Sequence, residues 1–276
     1  MRSCKLPSGA ALPVFGIGTW RMGESRSKRA QELDAVRYAL ELGYPMIDTA
    51  EMYGDGGAEE IVGEAIKGRK ERPFIVSKVY PHNATRSGTI AACERSLKRM
   101  GIERIDLYLL HWRGGTPLGE TYEAFFRLRD AGKIADFGVS NFDRDDMEEA
   151  AGIDKGLTAS NQVLYCLSRR GPEYDLLPWM QKRKMPLMAY SPVDQGRLLT
   201  NASLKKLAAE LGCTAAQLAI GWLLEKEGVV TIPKSMSRER VKENLGALDV
   251  KLTPQVNAAL DKAFPPPKRK QSLEML

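Results

Sequence analysis

Short runs rich in β-branched and apolar residues alternate with stretches of helical period along this chain, about eight times in succession. The strand-like runs are Val14–Thr19, Pro45–Thr49, Phe74–Val79, Ile105–Leu110, Ile134–Val139, Thr158–Val163, Pro186–Tyr190 and Val229–Ile232. Between them, apolar residues recur at helical spacing: Leu33, Val36 and Leu40 run up to Gly43, and Ile90, Cys93, Leu97 and Met100 run up to Gly101. Each glycine stands where a helix C-terminus needs a left-handed residue. Such alternation predicts a parallel sheet with helical crossovers. Eight units without a composition break predict one α/β domain over residues 1–276, a closed (β/α)8 TIM barrel.

Three segments fall outside the cycle. Cys4–Pro13 holds Pro7-Ser8-Gly9 between extended pieces and reads as an N-terminal β-hairpin plugging the bottom of the barrel. Two helical stretches, Ser203–Leu211 and Thr214–Glu227, precede the last strand, so one is extra, and another helix around Pro254–Ala263 follows it. After Pro265-Pro266-Pro267, residues 264–276 read as a flexible basic tail containing Lys268, Arg269 and Lys270.

A length of 276 residues suits one barrel of this kind. Apolar runs are too short to span a membrane, and the N-terminus lacks a signal-peptide core. Cys4, Cys93, Cys166 and Cys213 are scattered without a CxxC pair, the pattern of reduced thiols in a cytoplasmic protein and not of a disulfide frame or a metal site. The charge is +6, from 41 basic and 35 acidic side chains, and part of the excess lies in the tail. That balance argues against nucleic acid and suits a small anionic ligand.

In a parallel barrel, reactive groups collect at the C-terminal strand ends. Here Asp48, Lys78 and His111 sit where apolar strand residues stop, each in register with them: Met46 before Asp48, Phe74 and Val76 before Lys78, Leu107 and Leu109 before His111. If that set faces the lumen, the polar groups converge at the mouth, with Tyr53 close behind Asp48. Reducing a carbonyl requires a hydride on carbon and a proton on oxygen, and a tyrosine can give the proton. A lysine ammonium about 4 Å away, at an effective dielectric near 20, favours tyrosinate by about 4 kcal/mol. This predicts a Tyr53 pKa lowered by roughly three units. Asp48 would hold Lys78 charged, and a neutral His111 would orient the carbonyl oxygen. Taken singly, each residue has a plainer reading as a cap, a surface cation or a packing group, and His82 also follows a strand and could compete with His111.

The chain closely resembles the aldo-keto reductases from Gly16 to about Ala263. Gly18-Thr19-Trp20, Asp48-Thr49-Ala50-Glu51-Met52-Tyr53-Gly54, Val76-Ser77-Lys78 and Leu109-Leu110-His111-Trp112 match that family's motifs in order. So do Gly138-Val139-Ser140-Asn141-Phe142, Asn161-Gln162, Ala189-Tyr190-Ser191-Pro192 and Ile232-Pro233-Lys234-Ser235. The resemblance implies a catalytic tetrad of Asp48, Tyr53, Lys78 and His111.

It also implies NADPH/NADP+ as cofactor, although the usual nucleotide motifs are missing: Arg21 stands where GxGxxG needs its third glycine, and no P-loop occurs. Ser140, Asn141 and Gln162 offer donors and acceptors for a nicotinamide carboxamide, and Tyr190 can stack on the ring. The resemblance adds Gly18, Thr19, Trp20, Asp48, Ser191 and Pro192 to the cofactor contacts. Lys234 and Ser235 before a helix N-terminus form a phosphate seat, and Arg240 adds a guanidinium. By resemblance, Lys234, Ser235 and Arg240 hold the 2′-phosphate, while Glu243 and Asn244 meet the adenine.

Trp20, Met52, Tyr80 and Trp112 follow strand ends and are expected to wall the substrate pocket. The short loop after His111 and the short C-terminal segment predict an open site for small aldehydes and ketones. Asp55-Gly56-Gly57-Ala58-Glu59 and Tyr174-Asp175-Leu176-Leu177-Pro178-Trp179 look like a bacterial subgroup associated with methylglyoxal and other reactive carbonyls. The expectation is a monomeric NADP-dependent oxidoreductase with a small carbonyl substrate. Its rivals are a non-catalytic NADPH-binding regulatory barrel and a Schiff-base aldolase using Lys78.

Overall fold

The computed structural model describes residues 2–276. A two-stranded antiparallel hairpin, β1 (Ser3–Lys5) and β2 (Ala11–Pro13), precedes eight parallel strands in sequential order. These are β3 (Ile17–Gly18), β4 (Met46–Asp48), β5 (Phe74–Val79), β6 (Ile105–Leu110), β7 (Ile134–Ser140), β8 (Asn161–Leu164), β9 (Leu187–Tyr190) and β10 (Val229–Thr231). The helices are α1 (Arg29–Glu41), α2 (Gly57–Ile66), α3 (Arg86–Met100), α4 (Leu118–Asp130), α5 (Arg144–Asp154), α6 (Leu176–Lys182), α7 (Ala202–Glu210), α8 (Ala215–Glu225), α9 (Arg238–Leu245) and α10 (Pro254–Ala263).

The sheet closes on itself. Phe15 bridges in parallel to Thr231, and the amides of Gly16 and Gly18 donate to the carbonyls of Thr231 and Pro233 at 3.1 Å each. The first strand is therefore a true barrel stave, although only Ile17–Gly18 is regular in it. The sixth begins at Asn161 and not at Thr158, because the Thr158 amide donates to the Asp154 carboxylate at the end of α5.

Two apolar layers follow from the period-2 pattern of the strands. Met46, Val76, Leu107, Leu109, Met188, Val230 and Ile232 fill the lumen, joined by Leu6 and Leu12 from the hairpin. The hairpin thus seals the lower end. Its turn is pinned where Ser8 donates through its amide to Asp136 at 3.1 Å. The opposite strand faces pack against the helices, including Ile47, Ile75, Tyr108 and Phe137. Both α7 and α8 precede β10, and α10 follows α9, so the extra C-terminal helices are present.

Residues 265–276 carry no helix or strand but return across the barrel mouth. Lys270 pairs with Asp145 at 3.1 Å and Asp175 at 3.8 Å, Glu274 pairs with Arg169, and Leu273 packs against the core.

Candidate active site

The strand register sets the site. Met46, Val76, Leu107 and Leu109 point into the lumen, so two residues further on Asp48, Lys78 and His111 continue the same column upward to the mouth. Tyr53 arrives from a tight turn, Tyr53–Gly56, in which Gly54, Asp55 and Gly56 all have positive φ. At Gly54 a Cβ would stand 2.6 Å from the Gly23 carbonyl carbon. Only glycine lets the two loops close to that distance, and their contact fixes where the phenol sits.

Lys78 is fully buried. Its ammonium donates to Asp48 Oδ1 at 2.7 Å, to the Thr49 carbonyl at 2.8 Å and to Tyr53 Oη at 3.3 Å. All three N–H groups are thereby placed, and Asp48 Oδ2 accepts from Gln162 Nε2 at 2.7 Å. Because Tyr53 Oη receives from the lysine, its own hydrogen is free to point elsewhere. The His111 ring meets that of Tyr53 edge-on, centroids 5.5 Å apart.

Burial governs the protonation states. It pushes the Tyr53 phenol well above its ordinary value, and Asp48 pushes it further. The lowered pKa expected from the lysine alone is thus corrected: the cation's attraction is outweighed by desolvation, which is the larger effect in so enclosed a place. Burial also pulls Lys78 below its usual value, with Asp48 opposing. Both burial and the Lys78 charge hold His111 well below 6.5, so its ring is neutral at pH 7. Its Nδ1 is buried and has no hydrogen-bond partner among the described residues.

A cavity of about 570 Å³ opens above these groups. Asp48, Tyr53 and His111 form its floor, and Gly18, Trp20, Met52, Trp112, Ser140, Asn141, Gln162, Tyr190, Ser191, Pro192, Lys234, Ser235, Arg240, Glu243 and Asn244 line it. Three sequence candidates lie outside it. Lys78 sits beneath the floor. Thr19 is buried, with its hydroxyl donating to the Asp48 carbonyl at 3.0 Å, so it braces a strand end. Tyr80 stacks on His82 at 4.5 Å and meets Trp112 edge-on at 5.1 Å; it supports that wall from behind. The same stacking leaves His82 no part in the floor.

Sequence reasoning missed Arg21, the loop residues Val193, Gln195, Gly196 and Leu199, and Met275 and Leu276 of the tail, all of which line the cavity. The tail residues carry no motif and arrive by a long-range fold-back. The loop residues follow Tyr190-Ser191-Pro192 directly, and that position was the available signal. The C-terminal segment, short as it is, therefore supplies one wall of a site expected to be open.

The cavity is polar at two places. At one, Asn141 (φ 58°) donates through Nδ2 to the His111 carbonyl at 3.0 Å, while its Oδ1 accepts from the Tyr190 hydroxyl at 2.9 Å. Ser140 Oγ donates to the Gln162 carbonyl at 2.8 Å. Non-glycine residues in the left-handed region, Asn141 and Ser191 among them, cluster here, as strained backbone does at ligand sites. At the other, Lys234 and Ser235 stand before α9, whose N-cap Ser237 accepts from the Arg240 amide. Burial lowers the Lys234 pKa. Between the two, a Cβ on Gly18 would come within 2.9 Å of the Ile232 carbonyl, so the glycine lets the first and last barrel strands approach closely beside the cavity. This donor set suits an elongated ligand with an amide-bearing ring at one end and phosphate at the other.

The aldo/keto reductase family model matches residues 14–264. Methylglyoxal reductase YeaE of Escherichia coli is 48% identical over 272 residues, which is 96% of each chain. Glyoxal reductase of Bacillus subtilis is 35% identical over 90% of this chain and 88% of its own. A crystal structure of an aldo-keto reductase from Klebsiella pneumoniae in complex with NADPH shares 46% identity with a TM-score of 0.96, covering 100% of this chain and 99% of that one. The chain belongs to the aldo/keto reductase family.

Proposed function

We propose that this protein reduces small aldehydes and ketones, methylglyoxal among them, to alcohols, with Tyr53 as the proton donor. It is an NADP-dependent oxidoreductase. The residues fit the cofactor: Ser140, Asn141 and Gln162 at the nicotinamide end, Tyr190 against the ring, and Lys234, Ser235 and Arg240 for the 2′-phosphate. When bound, NADPH supplies a hydride to the carbonyl carbon.

The observation that carries the reading is the direction of the Lys78–Tyr53 hydrogen bond. With the ammonium donating to Oη, the phenolic hydrogen is left for a carbonyl oxygen in the cavity. A raised phenol pKa keeps that hydrogen in place across neutral pH. Transfer becomes favourable as the oxygen gains alkoxide character, since an alkoxide is a far stronger base than a phenolate. Lys78, already in contact with Oη, stabilises the tyrosinate as it forms and needs no reorganisation. His111, neutral and on the cavity floor, offers the oxygen a second donor.

Trp20, Met52, Trp112 and Met275 make the remaining wall apolar and leave room for a small carbonyl compound. The names of the two bacterial relatives, a methylglyoxal and a glyoxal reductase, support a reactive dicarbonyl. One chain completes the cavity, so a monomer suffices, and four unpaired cysteines accord with the cytoplasm. No single helix among the described residues is long and apolar enough to cross a membrane.

A Schiff-base aldolase is disfavoured by Lys78 itself. The amine does not reach the cavity, and its three N–H groups are all engaged. The regulatory-barrel reading leaves unexplained why Asp48, Tyr53, Lys78 and His111 should be assembled under an accessible cavity.

The test is a panel of aldehydes and ketones with NADPH and NADH in parallel, followed by loss of reduced-nicotinamide absorbance. The expected result is methylglyoxal turnover with NADPH at a kcat/KM about tenfold or more above that with NADH, the worth of one lost charge-assisted contact. NADPH binding without turnover of any carbonyl compound would overturn the proposal.

A further inference from the structure

Two walls of the cavity come from segments far apart in sequence, and one guanidinium touches both. The first wall is the loop after β9, where Val193, Gln195, Gly196 and Leu199 line the cavity. Asp194 and Gln195 in that loop have φ values of 47° and 55°, a conformation that side chains other than glycine rarely adopt. The Asp194 carboxylate, 5% exposed, holds the turn. It accepts from Ser168 Oγ at 3.1 Å and faces Arg197 at 3.3 Å and Arg169 Nε at 3.7 Å. The second wall is the end of the tail, Met275 and Leu276. The residue just before them, Glu274, pairs with Nη1 of the same Arg169.

We infer that Arg169 is a positioning residue that couples these walls, so that the order of the C-terminal segment sets how firmly the loop after β9 closes on the cofactor. Arg169 sits in a tight turn after β8, where its amide donates to the Cys166 carbonyl at 2.9 Å. Its base is therefore fixed to the barrel. The guanidinium pairs with Glu274 through Nη1 and faces Asp194 through Nε at 3.7 Å, where it acts by charge and not through a hydrogen bond. Glu274 does not line the cavity, so it can act on a bound ligand by two routes, through its neighbours Met275 and Leu276 or through Arg169 to Asp194, and the coupling requires the second. Coupling of this kind is reciprocal, and a ligand that orders the loop also orders the tail. The inference rests on the cofactor reading above. The plain alternative is an exposed ion pair with no consequence, the common fate of such pairs; Glu274 is 45% exposed.

The experiment measures NADPH dissociation from its complex by stopped-flow fluorescence. It compares the wild type with Glu274→Gln, Arg169→Met and the double variant, each first checked for a native circular-dichroism spectrum. Glu274→Gln should raise the dissociation rate about fivefold, the low end of ordinary coupling between sites. Arg169→Met should do at least as much, and the double variant should add nothing to Arg169→Met. Glu274→Gln alters an exposed side chain, so it can be measured even if Arg169→Met fails to fold. In an Asp194→Asn background it should add nothing; the full effect of about fivefold there would run through Met275 and Leu276 instead and would overturn the coupling. A change of about twofold or less in Glu274→Gln, or a double variant equal to the product of the singles, would overturn the coupling. A wild type that does not bind NADPH would overturn the cofactor reading and this inference together, whereas normal binding with unchanged rates overturns this inference alone.

Discussion

His111 is held neutral by its surroundings, and that choice has a consequence for stability. Burial and the Lys78 charge place its folded pKa well below 6.5. Between those two values the unfolded chain binds a proton that the folded chain does not. Stability therefore rises with pH through that window, and the contribution of His111 is complete above about 6.5. As pH falls well below 6.5 the wild type should lose stability from this residue at a limiting slope of about 1 kcal/mol per pH unit, until the folded pKa is reached. His111→Gln should lack that loss. Urea denaturation of both proteins between pH 7 and pH 5 checks it: equal slopes would show that the imidazole takes up its proton in the folded state. At this scale the convergence of Asp48, Lys78 and His111 was legible, because the parity of Met46, Val76 and Leu109 pointed them to one side. Their protonation was less so. Coulomb attraction can be guessed from residue types, but desolvation depends on how tightly the neighbours close, and that reverses the expected direction for Tyr53.

Among the elements, the stretch from β10 into α9 is the one proposed to carry the cofactor preference. Lys234 and Ser235 precede the helix, Ser237 caps it, and Arg240 lies one turn in, so two cations and a helix N-terminus meet at one end of the cavity. Lys234→Ala with Arg240→Ala should raise KM for NADPH by about tenfold or more and leave KM for NADH within about twofold. Equal effects on both would reject recognition of the 2′-phosphate. The gathering of these groups could be read from the sequence because all of them are local, within Pro233–Asn244. The loop Val193–Leu199 was not legible, since its φ-positive turn is held by Ser168 and Arg169 from another element. Strand limits shifted for a similar reason. Thr158 matches a strand by composition, yet the Asp154 carboxylate takes its amide first.

The whole molecule is a barrel with a sealed lower end and a working upper end. Regular βα alternation made this architecture readable, since eight such units leave few ways to bury both sheet faces. The hairpin was readable from its turn residues, and its purpose shows in Leu12, which is fully buried among the lumen side chains. Leu12→Ala should cost about 2–5 kcal/mol, seen as a lower denaturation midpoint, with the cofactor affinity of the folded fraction unchanged because the site lies at the other end. A midpoint equal to the wild type's would mean that the hairpin does not seal the core. The return of the tail to the mouth was the least legible feature. It depends on Lys270 finding Asp145 and Asp175, and on Glu274 finding Arg169, each across about a hundred residues of sequence or more.

The central claim is that the Tyr53 hydroxyl delivers the proton, with Lys78 ready to stabilise the tyrosinate left behind. Single-turnover reduction of methylglyoxal by the NADPH complex of Tyr53→Phe addresses it directly, because the substitution removes one oxygen and leaves the ring. Loss of a positioned acid lowers the rate of the chemical step by about a hundredfold or more, and NADPH affinity should stay within about twofold, since Tyr53 makes no proposed cofactor contact. A single-turnover rate equal to the wild type's would contradict the account.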